Sequence, residues 1–418
     1  MIGAEKARSI VLAPLQPLAP VERTLAETIG LVASSTVYAT EPAPSFTNSA
    51  MDGFAVRGAD VTTSSTRLRI VDSVFAGESS EVVVGVGEAT RIMTGAPLPP
   101  GADTVCPRED AVVDEDERFV TLQRAVVPGD CVRHVGEDLT VGQTLVSPGD
   151  VVDPALLGAL AAQGITSLLV HPVPRVGVLS TGNELVEGSG RLGPGQIRDS
   201  NRPTLLAALR QSGFVAIDLG TVRDSKRDLR AAFERARTSC DAVISTGGVS
   251  AGDADFVKVV LAELFVEHAR SMQVAIRPGK PFTFAYDEST NTPFFGLAGN
   301  PVSTLVGFEL FVRPALRRLA GHHDLERPSL SMVLDDDLVR RTDGKLHLVH
   351  GVCRIREDGL VHVERLARRG SHLLFAVAGA NCLIEAPDGE GYRVGDTVRA
   401  LLLDASELNG VAHDQRRP

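Results

Sequence analysis

A chain of 418 residues is longer than one hydrophobic core usually serves, so two to four domains are expected. Hydrophobic residues at 43% and charged ones at 23% describe folded protein and argue against long disorder. The 53 acidic and 42 basic side chains give −11, and aromatics reach only 4% with no Trp; non-specific nucleic-acid binding and base-stacking platforms are disfavoured, while a local basic pocket for a phosphorylated ligand remains open.

Five scattered cysteines (Cys106, Cys131, Cys240, Cys353, Cys382) are odd in number and form no CxxC pair. Buried thiols of a reducing compartment are expected, not a disulfide framework or a structural zinc. Glu5, Lys6 and Arg8 precede a short apolar stretch that Pro14, Pro17 and Pro20 break, which is not a signal peptide. No apolar run reaches the roughly 18 residues of a membrane helix. A cytoplasmic protein with no membrane and no nucleic-acid partner is expected.

In chain order, residues 21–34 carry apolar Leu25, Ile29 and Val32 at helical spacing and leave through Glu41-Pro-Ala-Pro44. Residues 46–138 are Val-rich and punctuated by turns such as Phe75-Ala-Gly-Glu78 and Pro128-Gly-Asp130, which predicts strands. Asp153-Pro154 supplies a cap and a first-turn proline for a helix over 155–163, stopped by Gly164 and followed by a strand over 165–170. From Pro174 the rhythm alternates. Strands are expected at 175–180, 215–219, 241–245, 283–286 and 294–297, and helices at 203–212, 225–238, 254–264 and 301–319. That spacing predicts a doubly wound, mostly parallel sheet. Beyond Gly321, turns at Asp343-Gly344, Asp358-Gly359 and Asp388-Gly389 separate short strands of a small all-β terminal domain. The fold class is α/β plus β, multidomain, without solenoid repeats or low-complexity tracts.

Ligands of open α/β sheets gather at the carboxyl ends of the strands. Three such ends are unusual here. Ser180-Thr-Gly-Asn-Glu184 offers a tight turn, hydroxyls and a carboxylate. Ser245-Thr-Gly-Gly-Val-Ser-Ala-Gly-Asp253 contains Gly247, Gly248 and Gly252, which let backbone N–H groups approach an anion at a helix start. A bare glycine turn would explain that loop about equally well, but Ser250 and Asp255 tilt it towards a site. It is neither GxGxxG nor a P-loop. Arg277-Pro-Gly-Lys-Pro281 holds two cations around a stiff turn suited to phosphate or another oxyanion, although alone such a pair is usually solvated. Gly299-Asn300-Pro301 opens the last helix near the same crevice.

Glu184, Asp224 and Asp255 fall at strand ends or helix starts, and carboxylates beside a phosphate loop suggest Mg²⁺. Asp224 has a plain alternative as a helix cap before Ser225. His322, His323, His347 and His350 read as surface or sheet positions rather than metal ligands. From the residues alone, phosphoryl, nucleotidyl or oxyanion transfer all remain open.

Seven motifs in one order carry a resemblance. They are Asn48-Ser-Ala-Met-Asp-Gly-Phe-Ala-Val-Arg57, Arg91-Ile-Met-Thr-Gly-Ala96, Gly136-Glu-Asp138, Ser180-Thr-Gly-Asn-Glu184, Ser245-Thr-Gly-Gly-Val-Ser250, Arg277-Pro-Gly-Lys-Pro281 and Gly299-Asn-Pro301. The set closely resembles the molybdopterin molybdenumtransferase family over essentially the whole chain. The resemblance implies a split linker and dimerisation domain (1–45 and 139–173) and a β-rich inserted domain (46–138). It also implies a molybdopterin-binding α/β domain (174–320) and a C-terminal β-barrel (321–418). It implies an elongated homodimer whose site is shared across subunits, and a Mg²⁺-dependent insertion of molybdate into adenylylated molybdopterin with release of AMP. Transient contact with the adenylyltransferase and with molybdoenzymes is a further implication.

Of the matching positions, Asp52, Thr94, Arg133 and Asp138 would line one side of the cleft. Glu184, Asp224, Asp255, Arg277 and Lys280 would line the other. Glu184, Asp224 and Asp255 would hold Mg²⁺. Gly247, Gly248, Ser250, Gly252 and Lys280, with Pro278, Gly279, Asn300 and Pro301, would hold phosphate, and Arg277 would attract molybdate. Ser371, in Arg369-Gly-Ser-His372, would approach from the terminal domain. Two positions depart from the family pattern: Gln273 where a basic residue is common, and Ala298 where proline is. Two other readings stay open: a molybdopterin adenylyltransferase, whose domain resembles residues 174–320, and a non-catalytic scaffold or specialised paralogue.

Overall fold

The computed structural model describes residues 1–248, 256–340, 342–366 and 370–404. Their contacts divide the chain into two units. One comprises Ser35–Ser147 with Asp153–Thr166; the other comprises Met1–Ser34, Pro148–Val152 and Ser167–Pro418.

The smaller unit is built on a six-stranded sheet, in the order Thr104–Pro107, Gly53–Val56, Glu88–Ile92, Thr66–Val74, Phe119–Leu122, Ala111–Val113. Successive side chains of a strand point to opposite faces, and Gly53–Val56 is buried on both. Phe54 and Val56 pack with Leu68, Val120 and Leu122, while Ala55 packs with Val74, Ile92 and Val105. The helix Pro154–Ala162 forms as its signals predict, with the Asp153 carboxylate accepting from the Leu156 N–H at 2.8 Å.

In the larger unit the N-terminal reading needs correction. Residues 21–34 are not a helix: Val21–Thr24 is a strand paired with Ser167–His171, followed by a 3₁₀ turn, Leu25–Thr28, and a second short strand, Val32–Ala33. The Thr24–Glu27 capping box supports only that single turn, and Gly30 ends it at φ +76°. The long-range pairing outweighs a weak apolar period. The helix of this region is Ala4–Leu12, rich in good helix formers, with Ala7 and Val11 buried.

The α/β layer follows its expected alternation. Val215–Val222, Arg175–Thr181, Ala242–Thr246 and Thr292–Leu297 are parallel neighbours, extended antiparallel by Pro281–Asp287 and Arg270–Gln273. Phe294 packs one face against Phe233 and Phe265, and on the other Phe282 stacks on Phe311 with centroids 4.6 Å apart. The helix expected over 301–319 is interrupted: Pro301–Gly307 and Arg313–Leu319 flank a π-helical turn, Phe308–Val312. Pro314 has no N–H for the Leu310 carbonyl, so the ladder widens there.

Five strands after residue 328 close into a barrel: Leu346–Ile355, Val361–Arg365, Ser329–Leu334, Thr397–Leu402, Cys382–Ala386, and back to the first. Met332, Cys353, Val363 and Ile384 fill it, while Leu348, Leu383 and Leu401 face outward into the core of the α/β layer. That seam is strengthened by Ile276–Arg277, which pairs in parallel with Leu346 and His347. All five cysteines are free, four of them buried. No helix among the described residues is long and apolar enough to cross a membrane.

Candidate functional site

The parallel strands deliver their unusual ends to one edge. Ser180 and Thr181 register with Thr246 and Val222, and Thr246 with Leu297. Gly247 sits at φ +95°, and a Cβ on it would lie 2.2 Å from the Thr181 carbonyl oxygen; Gly248 is at φ +64°. Only glycine fits that approach, which leaves backbone bare at the crevice. Gly299 faces Gly247, its added Cβ meeting the Gly247 Cα at 3.6 Å. Asn201 ties the two loops, its amide donating to Thr246 Oγ1 at 2.8 Å and to the Gly299 carbonyl at 2.7 Å. The Asn201 carboxamide oxygen is buried without a hydrogen-bond partner.

Asp224 is not the cap of the helix Lys226–Ala236; Ser225 takes that role, accepting from the Asp228 N–H. The Asp224 carboxylate instead accepts from the Thr181 hydroxyl at 3.3 Å. Burial pushes its carboxyl above the usual range, the Thr181 bond opposes this, and the nearby Glu184 carboxylate raises it further. The Glu184 carboxylate is thus close enough to act on Asp224, and a cation would relieve such an acidic couple. Mg²⁺ commonly takes one or two carboxylates plus waters and substrate phosphates, so this pair fits it. No group of three His, Cys, Asp or Glu residues suited to a metal occurs among the described residues. Ser250, Gly252 and Asp255 lie outside the described residues.

The Arg277-to-Pro281 turn is closed by the Val274 N–H donating to the Lys280 carbonyl at 2.8 Å, with a cis bond before Pro278 and Gly279 at φ +99°. Both cations remain exposed; Arg277 reaches Asp343 at 3.5 Å. This turn forms one wall of a cavity of about 890 Å³ between the α/β layer and the barrel. Asn300 and Ser303 contribute from the helix start, and Arg340, Lys345, His347 and His350 from the barrel. Ser371 joins them, its carbonyl accepting the Val302 N–H at 3.0 Å.

Arg340 is fully buried and bonded to the Ala386 carbonyl at 2.6 Å and to Asp388 at 2.6 Å, yet its Nε has no partner. Asp343 is the acid among these cations. Burial pushes its carboxyl up, but hydrogen bonds from His347 and Lys345 outweigh that and hold it at about 2. Ionised Asp343 offsets one positive charge at neutral pH, but Arg277, Lys280, Arg340 and Lys345 outnumber it, so the lining is net cationic and suits an oxyanion.

The remaining predicted positions belong to the smaller unit. The Asp52 carboxylate accepts from the Thr94 backbone N–H and hydroxyl, each at 2.7 Å, which lower its pKa in that order. Arg133 is exposed on a short strand paired with Asn48 and Ser49. Asp138 is exposed, with its N–H on the Ala43 carbonyl. Within the larger unit, Glu184, Asp224, Gly247 and Gly248 cluster at the strand ends, and Arg277 through Lys280, Asn300 and Ser371 gather at the cavity. Sequence reasoning missed Ser303, Arg340 and Lys345, and it read His347 and His350 as ordinary sheet positions. The one local signal was alternation, which sets Leu346, Leu348 and His350 on the same face of a strand.

A glycine-lined strand edge, an acidic couple and a cationic cavity mark a multidomain α/β protein whose surfaces suit phosphorylated or oxyanionic ligands. Profiles described as the MoeA N-terminal region (domain I and II), a probable molybdopterin binding domain and the MoeA C-terminal region (domain IV) match residues 2–164, 177–318 and 337–403. The chain belongs to the molybdopterin molybdenumtransferase family. The molybdopterin molybdenumtransferase of Haemophilus influenzae is 36% identical over 400 residues, covering 95% of this chain and 98% of its own length. That of Bacillus subtilis is 35% identical, covering 88% and 85%. A crystal structure of a molybdopterin biosynthesis MoeA protein from Pyrococcus horikosii matches with a TM-score of 0.79 at 30% identity, covering 97% of this chain and all of that one.

Proposed function

We propose that the protein inserts molybdate into adenylylated molybdopterin and releases AMP, completing the molybdenum cofactor. The observation that carries this reading is the cationic cavity at Arg277 and Lys280 opening beside the glycine-lined strand edge, with Asn300 close to both. Molybdate is a dianion, and bringing it to a phosphorylated pterin requires fixed donors that offset repulsion between the two anions. Arg277, Lys280 and Lys345 supply charge, while the backbone at Gly247 and Gly248 supplies donors without side-chain bulk. Bound Mg²⁺ would supply charge neutralisation at the phosphate that leaves with AMP. Glu184 and Asp224, with Asp255, are the residues to hold it.

Full-length likeness to transferases, including the β-rich N-terminal half and the barrel, favours this reading over the adenylyltransferase. The acidic couple favours it over a passive scaffold, because a binder of anions gains nothing from paired carboxylates. We further propose that the chain works as a cytoplasmic homodimer. In it, Asp52, Thr94, Arg133 and Asp138 of one subunit complete the site of the other, since isologous contacts can assemble a cleft from two chains. The test is reconstitution: purified protein, adenylylated molybdopterin, molybdate and Mg²⁺ should yield cofactor that activates an apo-molybdoenzyme. No activation above the protein-free control would overturn the reading.

A further inference from the structure

His350 is an anomaly in the seam between barrel and α/β layer. Its neighbours on that face set the pattern: Leu348 belongs to the shared apolar core, as do Leu383 from the adjacent strand and Leu401 from the strand beyond it. His350 has the same outward direction and is 8% exposed. Among the described residues no group hydrogen-bonds its ring; only its backbone carbonyl is used, by the Leu366 N–H. Burying an unpaired imidazole in an apolar seam is unfavourable, and such departures concentrate at functional positions.

The ring is not sealed in, because His350 lines two cavities. One is the cationic cavity of about 890 Å³. The second, about 390 Å³, carries Gln211, Asn381 and the Glu309–Arg327 ion pair. Among the described residues only His350 and Val377 belong to both. Burial holds the imidazole down at about 4, so near neutral pH it carries one N–H and one bare nitrogen. A neutral donor suits the inner wall of an oxyanion site, where Arg340 already contributes a buried charge.

We infer that His350 is a direct hydrogen-bond donor to the oxyanion in the first cavity, with its other nitrogen served by water in the second. This rests on the reading of that cavity as the molybdate site. The ring is unpartnered in the protein because its partner is the ligand.

The test is equilibrium binding of molybdate to the full-length protein at pH 7.5, with thermal unfolding of the same samples. Replacing His350→Leu removes the donor but keeps an apolar fill, so binding should weaken about tenfold or more, as for loss of a hydrogen bond to a charged group. The same variant should unfold at or above the wild-type temperature, because it relieves a buried unpaired polar group. His350→Gln, which keeps a neutral donor, should restore most of the affinity. Wild-type affinity in His350→Leu would overturn the inference, and so would a lowered unfolding temperature that Gln also fails to rescue. Arg277→Ala separates the two levels. If molybdate fails to bind the wild type, or binds it and Arg277→Ala equally, the cavity reading itself falls and takes the inference with it.

Discussion

Alanine at Gly247 isolates the close approach on which the strand-edge site depends. The backbone there is at φ +95°, which costs an L-residue about 1–2 kcal/mol. The new methyl would also sit 2.2 Å from the Thr181 carbonyl oxygen, against an ordinary contact beyond 3.4 Å. Backbone must therefore move by more than an ångström, and forced repacking of that kind costs about 1–3 kcal/mol. The sum is roughly 2–5 kcal/mol.

Gly195 provides the control: φ is +75°, but nothing lies within 4 Å of its added Cβ. Gly195→Ala carries only the dihedral term, partly offset by a stiffer unfolded chain, so about 1 kcal/mol is expected. At roughly 2–4 °C per kcal/mol, Gly247→Ala should lower the melting temperature of its unit by about 4–20 °C and Gly195→Ala by no more than about 4 °C. Differential scanning calorimetry reads both. Equal shifts in the two variants, or a wild-type transition in Gly247→Ala, would refute the close-packing argument.

Co-expressing Asp52→Ala and Asp224→Ala variants tests the shared site. Random pairing makes half the dimers mixed, each with one intact cleft, so about a quarter of wild-type turnover should return; confirmed mixed dimers without recovered turnover contradict it. Gln273 is exposed beside the cationic turn, paired with Pro281. Gln273→Lys should lower the molybdate concentration for half-maximal rate and make it more salt-sensitive, and an unchanged value would mark the position as neutral. The pH dependence of stability has a definite sign at His350. Its folded pKa of about 4 lies below the ordinary histidine value of 6.5, so the unfolded chain binds the proton first, and stability is full above 6.5 and lost as pH falls towards 4. The limiting loss is about 3 kcal/mol. Melting curves between pH 7 and pH 4 should fall less steeply for His350→Leu; parallel curves would show that this histidine does not titrate as described.

The α/β layer was legible because each repeat carries its own punctuation. An apolar strand, a glycine or hydroxyl turn, and a capped helix all occur within reach of one another, as at Ala242–Thr246 or Ser225 before Lys226–Ala236. Legibility failed where the decisive contact is remote. Arg270–Gln273 is an edge strand with only Met272 buried, so its composition reads as loop. Val21–Thr24 becomes a strand through pairing with residues far along the chain, which no local period announces. The barrel side of the cavity was invisible for the same reason. Arg340, Lys345 and His350 meet the Arg277 turn only because Leu348 and Leu383 dock the barrel on the layer. Gly247 and Arg277, in contrast, sit in motifs whose residue types are dictated by local geometry and charge.

The most direct test of the central claim is the molybdate dependence of AMP release. Wild-type protein with adenylylated molybdopterin and Mg²⁺ should release AMP only when molybdate is supplied. Arg277→Ala should reach a similar plateau but need about tenfold more molybdate, the size expected for losing a charge-assisted contact. AMP release that ignores molybdate, or a half-saturating concentration unchanged in Arg277→Ala, would contradict the assignment of this cavity to the incoming oxyanion.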